Sequence, residues 1–112
     1  MTEQSFSNLT PQELERLALF VEEAGEALQA VGKIFRHGYN SCHPDHPNSP
    51  NNRGSLEREV ADLTVAIDLL LLAGDLDSRR VHELMVSKSL RVPRFLHHQS
   101  EPLLKKLRDY YE

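Results

Sequence analysis

The sequence predicts an all-α fold, a helical bundle of four to five helices. Three observations carry that expectation. Apolar residues recur at three- and four-residue spacing along most of the chain, no stretch alternates as a strand would, and the periodic segments open at capping residues and close at Gly or Pro. At 112 residues the chain is read as a single helical domain, 1–112, with a flexible N-terminus over 1–9 and a long loop over 39–54.

The first helix starts at Thr10-Pro11-Gln12-Glu13: an N-cap Thr, Pro at the first helical position and Glu at the third form a capping box. Leu14, Leu17, Val21, Ala24, Leu28, Val31 and Phe35 follow at helical spacing and read as its main buried stripe. Arg36 and His37 suit the negative end of the helix, and Gly38 ends it. Pro44, Pro47 and Pro50, set among Asn, Ser and Asp, make 39–54 a loop long enough to be mobile or functional. Ser55 is read as the cap of a second helix running to about Gly74. From Leu63 onward only Thr64 and Asp68 interrupt its apolar character, so it is expected to be central and buried by several neighbours. Asp75 to Ser78 reads as a turn and cap, Val81, Leu84, Met85 and Leu90 mark a third helix, and Pro93 stops or kinks it near Arg91. Phe95–Gln99 is ambiguous, and Ser100–Tyr111 reads as a short final helix.

Ordinary apolar and charged contents of 39% and 27% fit a globular chain, and a formal charge of −4 argues against a broad nucleic-acid-binding surface. The single cysteine, Cys42, excludes an intramolecular disulfide and suits a reducing cytoplasm. The start is polar and carries no apolar leader, and Leu69–Ala73 is too short to span a bilayer. A cytoplasmic location with no membrane or nucleic-acid partner is expected.

Two acidic clusters carry the functional signal. The row Leu19, Glu23, Glu26, Ala30, Ile34 shares one helix face, and Glu59, Asp62, Ala66, Leu69, Ala73 repeats the arrangement on the second helix. Carboxylates interrupting apolar faces are costly unless paired or bound to a cation. Salt bridges to Lys33 and Arg58 would relieve them. The shared pattern of the two clusters favours a divalent metal held by Glu23, Glu26, Glu59 and Asp62, and an all-oxygen ligand set suits Mg²⁺, with Mn²⁺ as the alternative. Glu22, one residue off the pair, is placed to act as a base on water.

Glu22-Glu23-x-x-Glu26 followed by Glu59-x-x-Asp62 resembles the motif of the MazG-like all-α nucleotide pyrophosphohydrolases, a group allied to the dimeric dUTPases. The resemblance covers about Leu14 to Gly74. It implies Mg²⁺-dependent cleavage of a nucleoside triphosphate to the monophosphate and pyrophosphate. The ligands would be Glu23, Glu26, Glu59 and Asp62, and the sites would be completed in a homodimer or homotetramer. Glu59-Val60-Ala61-Asp62-Leu63 is also similar to the phosphoribosyl-ATP pyrophosphohydrolases. Thirty-two residues lie between Glu26 and Glu59, more than in compact members of the family, because of the Pro/Asn-rich loop. That loop is expected to order over the nucleotide and influence substrate choice.

Lys33 and Arg36 lie one and about one and a half heptads past Glu26; they meet a polyphosphate or, for Arg36 especially, merely decorate a helix end. His37, Cys42, His43 and His46 sit at short spacing, but the spacing fits no standard zinc finger, and loop composition explains them better. Asp68 is read as a helix-pairing contact in preference to an extra acid near the site; His97 and His98 either reach substrate or belong to a helix end. A nearly all-apolar second helix predicts a homo-oligomer. Two functions compete: a pyrophosphohydrolase clearing or balancing nucleotide pools, and a catalytically silent helical interaction module whose acids set pairing register.

Overall fold

The computed structural model describes residues 7–112, so most of the expected flexible tail over 1–9 lies outside the described residues. Among them are four α-helices and a 3₁₀ turn, with no strand: α1 Pro11–His37, α2 Asn52–Leu72, α3 Ser78–Arg91, the 3₁₀ segment Val92–Phe95, and α4 Glu101–Tyr111. The chain divides into two compact units, one ending at Asp75 and one comprising Leu76–Glu112.

The first unit is an antiparallel helix pair. The Thr10 hydroxyl accepts from Glu13 N at 3.1 Å while Glu13 Oε1 accepts from Thr10 N at 3.0 Å, so the expected capping box opens α1. Gly38 closes it at φ +82°, a backbone conformation that costs glycine little. α2 starts earlier than expected: Asn51, not Ser55, is its N-cap, its side chain accepting from Gly54 N at 2.9 Å. Asn is a better cap than its proline-rich setting suggested, and Gly54 keeps the first turn clear of Pro50, whose Cβ would stand 3.1 Å from a Cβ at position 54. The loop is therefore 38–51, and its ends are tied. Asn52 N donates to Ser41 O, Arg53 N to Tyr39 O, and Asn52 Nδ2 to Gly38 O, at 2.9, 2.9 and 3.0 Å.

At the opposite end of the pair, Arg16 Nε and Nη2 donate to Asp75 Oδ2 and Oδ1 at 2.6 and 2.9 Å. Both side chains are about one-fifth exposed. This two-pronged clamp and the tied loop fix the antiparallel register of the two helices, with Ala30 and Ser55 lining one cavity.

The packing corrects two expectations. The α1 seam against α2 runs through Arg16, Phe20, Glu23, Ala27, Ala30 and Ile34, all buried or half-buried. The stripe expected to be buried is mostly exposed: Leu14, Leu17, Val21, Leu28 and Phe35 all face outward, Phe35 at 85%. Two apolar faces cannot both meet one partner helix, and α2 takes the one with small residues. Nor is α2 buried on all sides. Only Ala66 and Leu70 are buried, whereas Val60, Val65, Leu69 and Leu72 are exposed. Asp68 is exposed and makes no side-chain hydrogen bond or ion pair among the described residues, so the pairing contact expected of it is absent within the chain.

In the second unit Asp77 caps α3, its Oδ1 accepting from Arg79 N and Arg80 N. α3 ends at Arg91 and passes into the 3₁₀ turn at Pro93, as its missing N–H requires. Ser100 caps α4, accepting from Leu103 N at 3.3 Å. Ser89 and Leu104 are the buried residues of this unit, and Ser89 Oγ donates to Val86 O at 2.6 Å.

The Arg16 clamp holds the Asp75 carboxyl below its ordinary value of 3.8, chiefly by the hydrogen bond and then by charge. Such a group contributes stability above its unfolded pKa that is lost as pH falls through the lowered folded value. Arg16→Gln is expected to lower Tm by a few degrees at pH 7, with the deficit shrinking as acid titrates Asp75. Thermal melts of both proteins from neutral to strongly acid pH check this; a deficit that does not change with pH contradicts it.

Candidate metal centre

The register that tethers both ends of the helix pair brings the two acidic clusters face to face. One carboxylate oxygen from each of Glu23, Glu26, Glu59 and Asp62 lies within 4.8 Å of the other three. Glu23 and Glu59 are half-buried and Glu26 and Asp62 exposed. Small residues flank the cluster: Ala30, 7% exposed, stands one turn beyond Glu26, and Ala66, fully buried, one turn beyond Asp62. Helices approach more closely where the residues at the contact are small.

The carboxylates lack counter-charges. Among the described residues no Lys or Arg forms an ion pair with any of the four, so the expected alternative of salt bridges to Lys33 and Arg58 is not realised. Glu23 Oε2 and Glu59 Oε2 are shielded from solvent and accept no hydrogen bond. A buried acceptor without a donor carries its full desolvation cost. Burial pushes the Glu23 carboxyl above its ordinary value, and the charges of Glu26, Asp62 and Glu22 push the same way. Glu26 is raised first by the hydrogen bond its protonated form shares with Glu59, then by the charge of Glu59 and by burial. A cation among these oxygens would reverse each of these penalties. Hard, all-oxygen donors of this kind match Mg²⁺ or Mn²⁺ in chemistry.

Glu22 is exposed and outside the four-oxygen group, adding charge to both neighbours on α1. Beyond the cluster, toward the loop, a cavity of about 270 Å³ is lined by Glu26, Gln29, Ala30, Lys33, Asn52, Ser55 and Glu59. It shares Lys33, Asn52 and Ser55 with a second cavity of about 720 Å³ under the loop, where Arg36 and Arg58 also stand. The structure thus places Lys33 beside the acids and Arg36 further along the same groove. Gln29, Asn52, Ser55 and Arg58 were not anticipated as lining residues. The antiparallel register alone was enough to find Ser55 and Asn52, one and two turns before Glu59.

His37, Cys42 and His43 line the larger cavity and His43 stacks obliquely on His46 at 5.2 Å. They do not converge as ligands; the acid cluster is the one group of that kind among the described residues. No helix of the described residues is long and apolar enough to cross a membrane. No family model, curated protein or solved structure matches the chain.

Raised carboxyl values have a definite sign for stability. In metal-free protein the native state holds protons that the unfolded chain has released, so stability falls as pH rises upward from the ordinary glutamate value of 4.5. Glu26→Gln removes one of the repelling charges. In chelator-treated protein it is expected to raise Tm at neutral pH and flatten the decline. A lower neutral-pH Tm in the variant contradicts this account.

Proposed function

We propose that the chain is a Mg²⁺-dependent nucleotide pyrophosphohydrolase, splitting a nucleoside triphosphate into the monophosphate and pyrophosphate. One observation carries the reading: four carboxylates from two helices converge without counter-charges and open into a groove rimmed by cations. The resemblance of Glu22-Glu23-x-x-Glu26 and Glu59-x-x-Asp62 to the MazG-like motif supports the same chemistry.

In this reading Glu23, Glu26, Glu59 and Asp62 hold the metal, with Mn²⁺ as a substitute. When bound, the ion supplies Lewis-acid polarisation of the phosphoryl group and neutralises charge that would otherwise repel the substrate. The chain's own groups do the rest. Lys33 meets the phosphate chain at the mouth of the cluster, and Arg36 steadies it from further along the groove. Glu22 takes the proton from the attacking water. The new bond forms to the α-phosphorus, the bond from that phosphorus to the bridging oxygen breaks, and pyrophosphate leaves with the electron pair.

The exposed stripe Leu14, Leu17, Val21, Leu28 and Phe35, with Val65 and Leu72 on α2, supports a homodimer or homotetramer. Large apolar side chains at that density are characteristic of interaction surfaces. The same stripe is what a silent interaction module would also present; the convergence of four carboxylates within one chain supports the enzymatic reading in preference to it.

Release of pyrophosphate, measured across all ribo- and deoxyribonucleoside triphosphates with Mg²⁺, tests the proposal. Glu23→Gln and Asp62→Asn are expected to lose at least about 100-fold in kcat/KM, a loss typical of removing a transition-state charge stabiliser. Their helical circular dichroism should be unchanged. Full activity in either variant, or no turnover of any nucleotide by the intact protein, refutes the proposed activity.

A further inference from the structure

The outward face of α1 is regular as well as apolar. Leu14, Ala18, Val21, Gly25, Leu28, Gly32 and Phe35 follow one another at steps of four and three without a break. That is a strict heptad repeat, the spacing at which one helix seam meets another along its length. The seam also alternates in size: Leu14, Val21, Leu28 and Phe35 are large, and Ala18, Gly25 and Gly32 between them are small. Leu17, Ala24 and Val31 border it on one side and widen the apolar strip, while Glu15, Glu22 and Gln29 border the other. Glu23, Ala27 and Ala30, which face α2, lie across the helix from it.

Within the chain the small positions serve no contact. Among the described residues a Cβ at Gly25 would meet nothing within 4 Å, and one at Gly32 only Arg36 Nη1 at 3.9 Å. Glycine inside a helix weakens it relative to alanine, and nothing in one copy of the chain recovers that cost. The large positions are equally unpartnered, Val21 at 69% and Leu28 at 73% exposure. Small residues on a helix face let a second backbone come close, and the large ones between them fill the space beside it.

The alternation selects the occupant. A parallel, in-register copy would set Gly25 on Gly25 and Leu28 on Leu28, so the large layers would hold the helices apart and leave voids at the small ones. An antiparallel copy sets large on small in every layer. Centred between Glu26 and Ala27, it pairs Ala18 with the partner's Phe35, Val21 with the partner's Gly32 and Gly25 with the partner's Leu28, and symmetry repeats each pairing. A slide of one heptad also matches the sizes, setting Val21 on the partner's Gly25. That register brings Glu22 beside the partner's Glu22, a like-charge contact of the kind that flanking positions use to reject a register. In the first register Glu22 comes beside the partner's uncharged Gln29.

We propose that α1 is a self-pairing helix, joining two copies of the chain antiparallel through Ala18, Val21, Gly25, Leu28, Gly32 and Phe35. The inference deepens the homo-oligomer part of the reading above and stands apart from the proposed chemistry. Glu23 and Glu26 point to the other side of α1, so each copy keeps its acid cluster clear of the seam.

Two measurements test the seam, and neither needs nucleotide or metal. Sedimentation equilibrium of chelator-treated protein is expected to show a dimer whose dissociation constant rises at least about tenfold in Gly25→Leu and in Leu28→Lys, as overpacking or charging a close contact requires. Leucine is a better helix former than glycine, so Gly25→Leu should keep or gain helical circular dichroism while losing the dimer. In a Cys42→Ser background, mild oxidation is expected to link Val21→Cys/Gly32→Cys chains into covalent dimers. Val21→Cys alone and Ala18→Cys/Leu28→Cys should stay unlinked. A monomeric intact chain, or a dimer indifferent to Gly25→Leu, overturns the seam. Linking of Val21→Cys alone overturns the antiparallel direction, and linking of only the Ala18 and Leu28 pair overturns the register. The expected dimer in a chain that turns over no nucleotide keeps the seam and removes the pyrophosphohydrolase reading.

Discussion

The candidate site depends on the antiparallel register of α1 and α2. Arg16 clamped to Asp75 at one end, and Asn52 and Arg53 hydrogen-bonded into the 38–41 turn at the other, leave the two helices little freedom to slide. That register forces Glu23 and Glu26 opposite Glu59 and Asp62, and like charges facing across a seam repel. The folded chain tolerates the repulsion because the tethers and the small residues Ala30 and Ala66 hold the helices together on both sides of it. Sliding α2 by one helical turn would separate the acids, and with them the groove that joins the two cavities.

The sequence made the acid motif, the α1 capping box, the Ser100 start of the last helix and the break at Pro93 legible because each depends on local chemistry. A capping residue or a proline acts on its own turn, whatever packs against it. What sequence left open depends on partners. α1 carries two apolar rows about 100° apart in character, Leu14-Leu17-Val21 and Phe20-Ala27-Ile34, and periodicity cannot say which one faces α2. The richer row was the natural choice, yet the structure turns it outward and buries the one that carries the acids. The second helix misled in a similar way: an almost entirely apolar stretch implies several neighbours, but within its own unit α2 packs against α1 and buries only Ala66 and Leu70. Asn51 was missed as a cap because the prolines around it signalled loop, and the two signals coexist in four residues.

The site shows the same division. Glu23, Glu26, Glu59 and Asp62 could be chosen from spacing alone, since two helical pairs of acids need only meet to make the cluster. The cation cavity could not, because Arg58 and Asn52 reach it only once the loop returns α2 beside the end of α1. Charge then runs in a gradient along one groove, negative at Glu26 and Glu59, mixed where Lys33 stands, positive at Arg36 and Arg58. Under the proposed function, such a groove would set the direction as well as the place of an anionic substrate.

The central claim is that the four facing carboxylates form one divalent-cation site. Mn²⁺ titration followed by electron paramagnetic resonance measures it directly, counting free ion against protein without reference to any substrate. The account predicts saturable binding that Mg²⁺ displaces and that weakens at least about tenfold when Glu59→Gln or Asp62→Asn removes one ligand, as loss of a charged oxygen donor requires. Mn²⁺ that stays free in the presence of the intact protein, or that binds both variants as tightly, would contradict it.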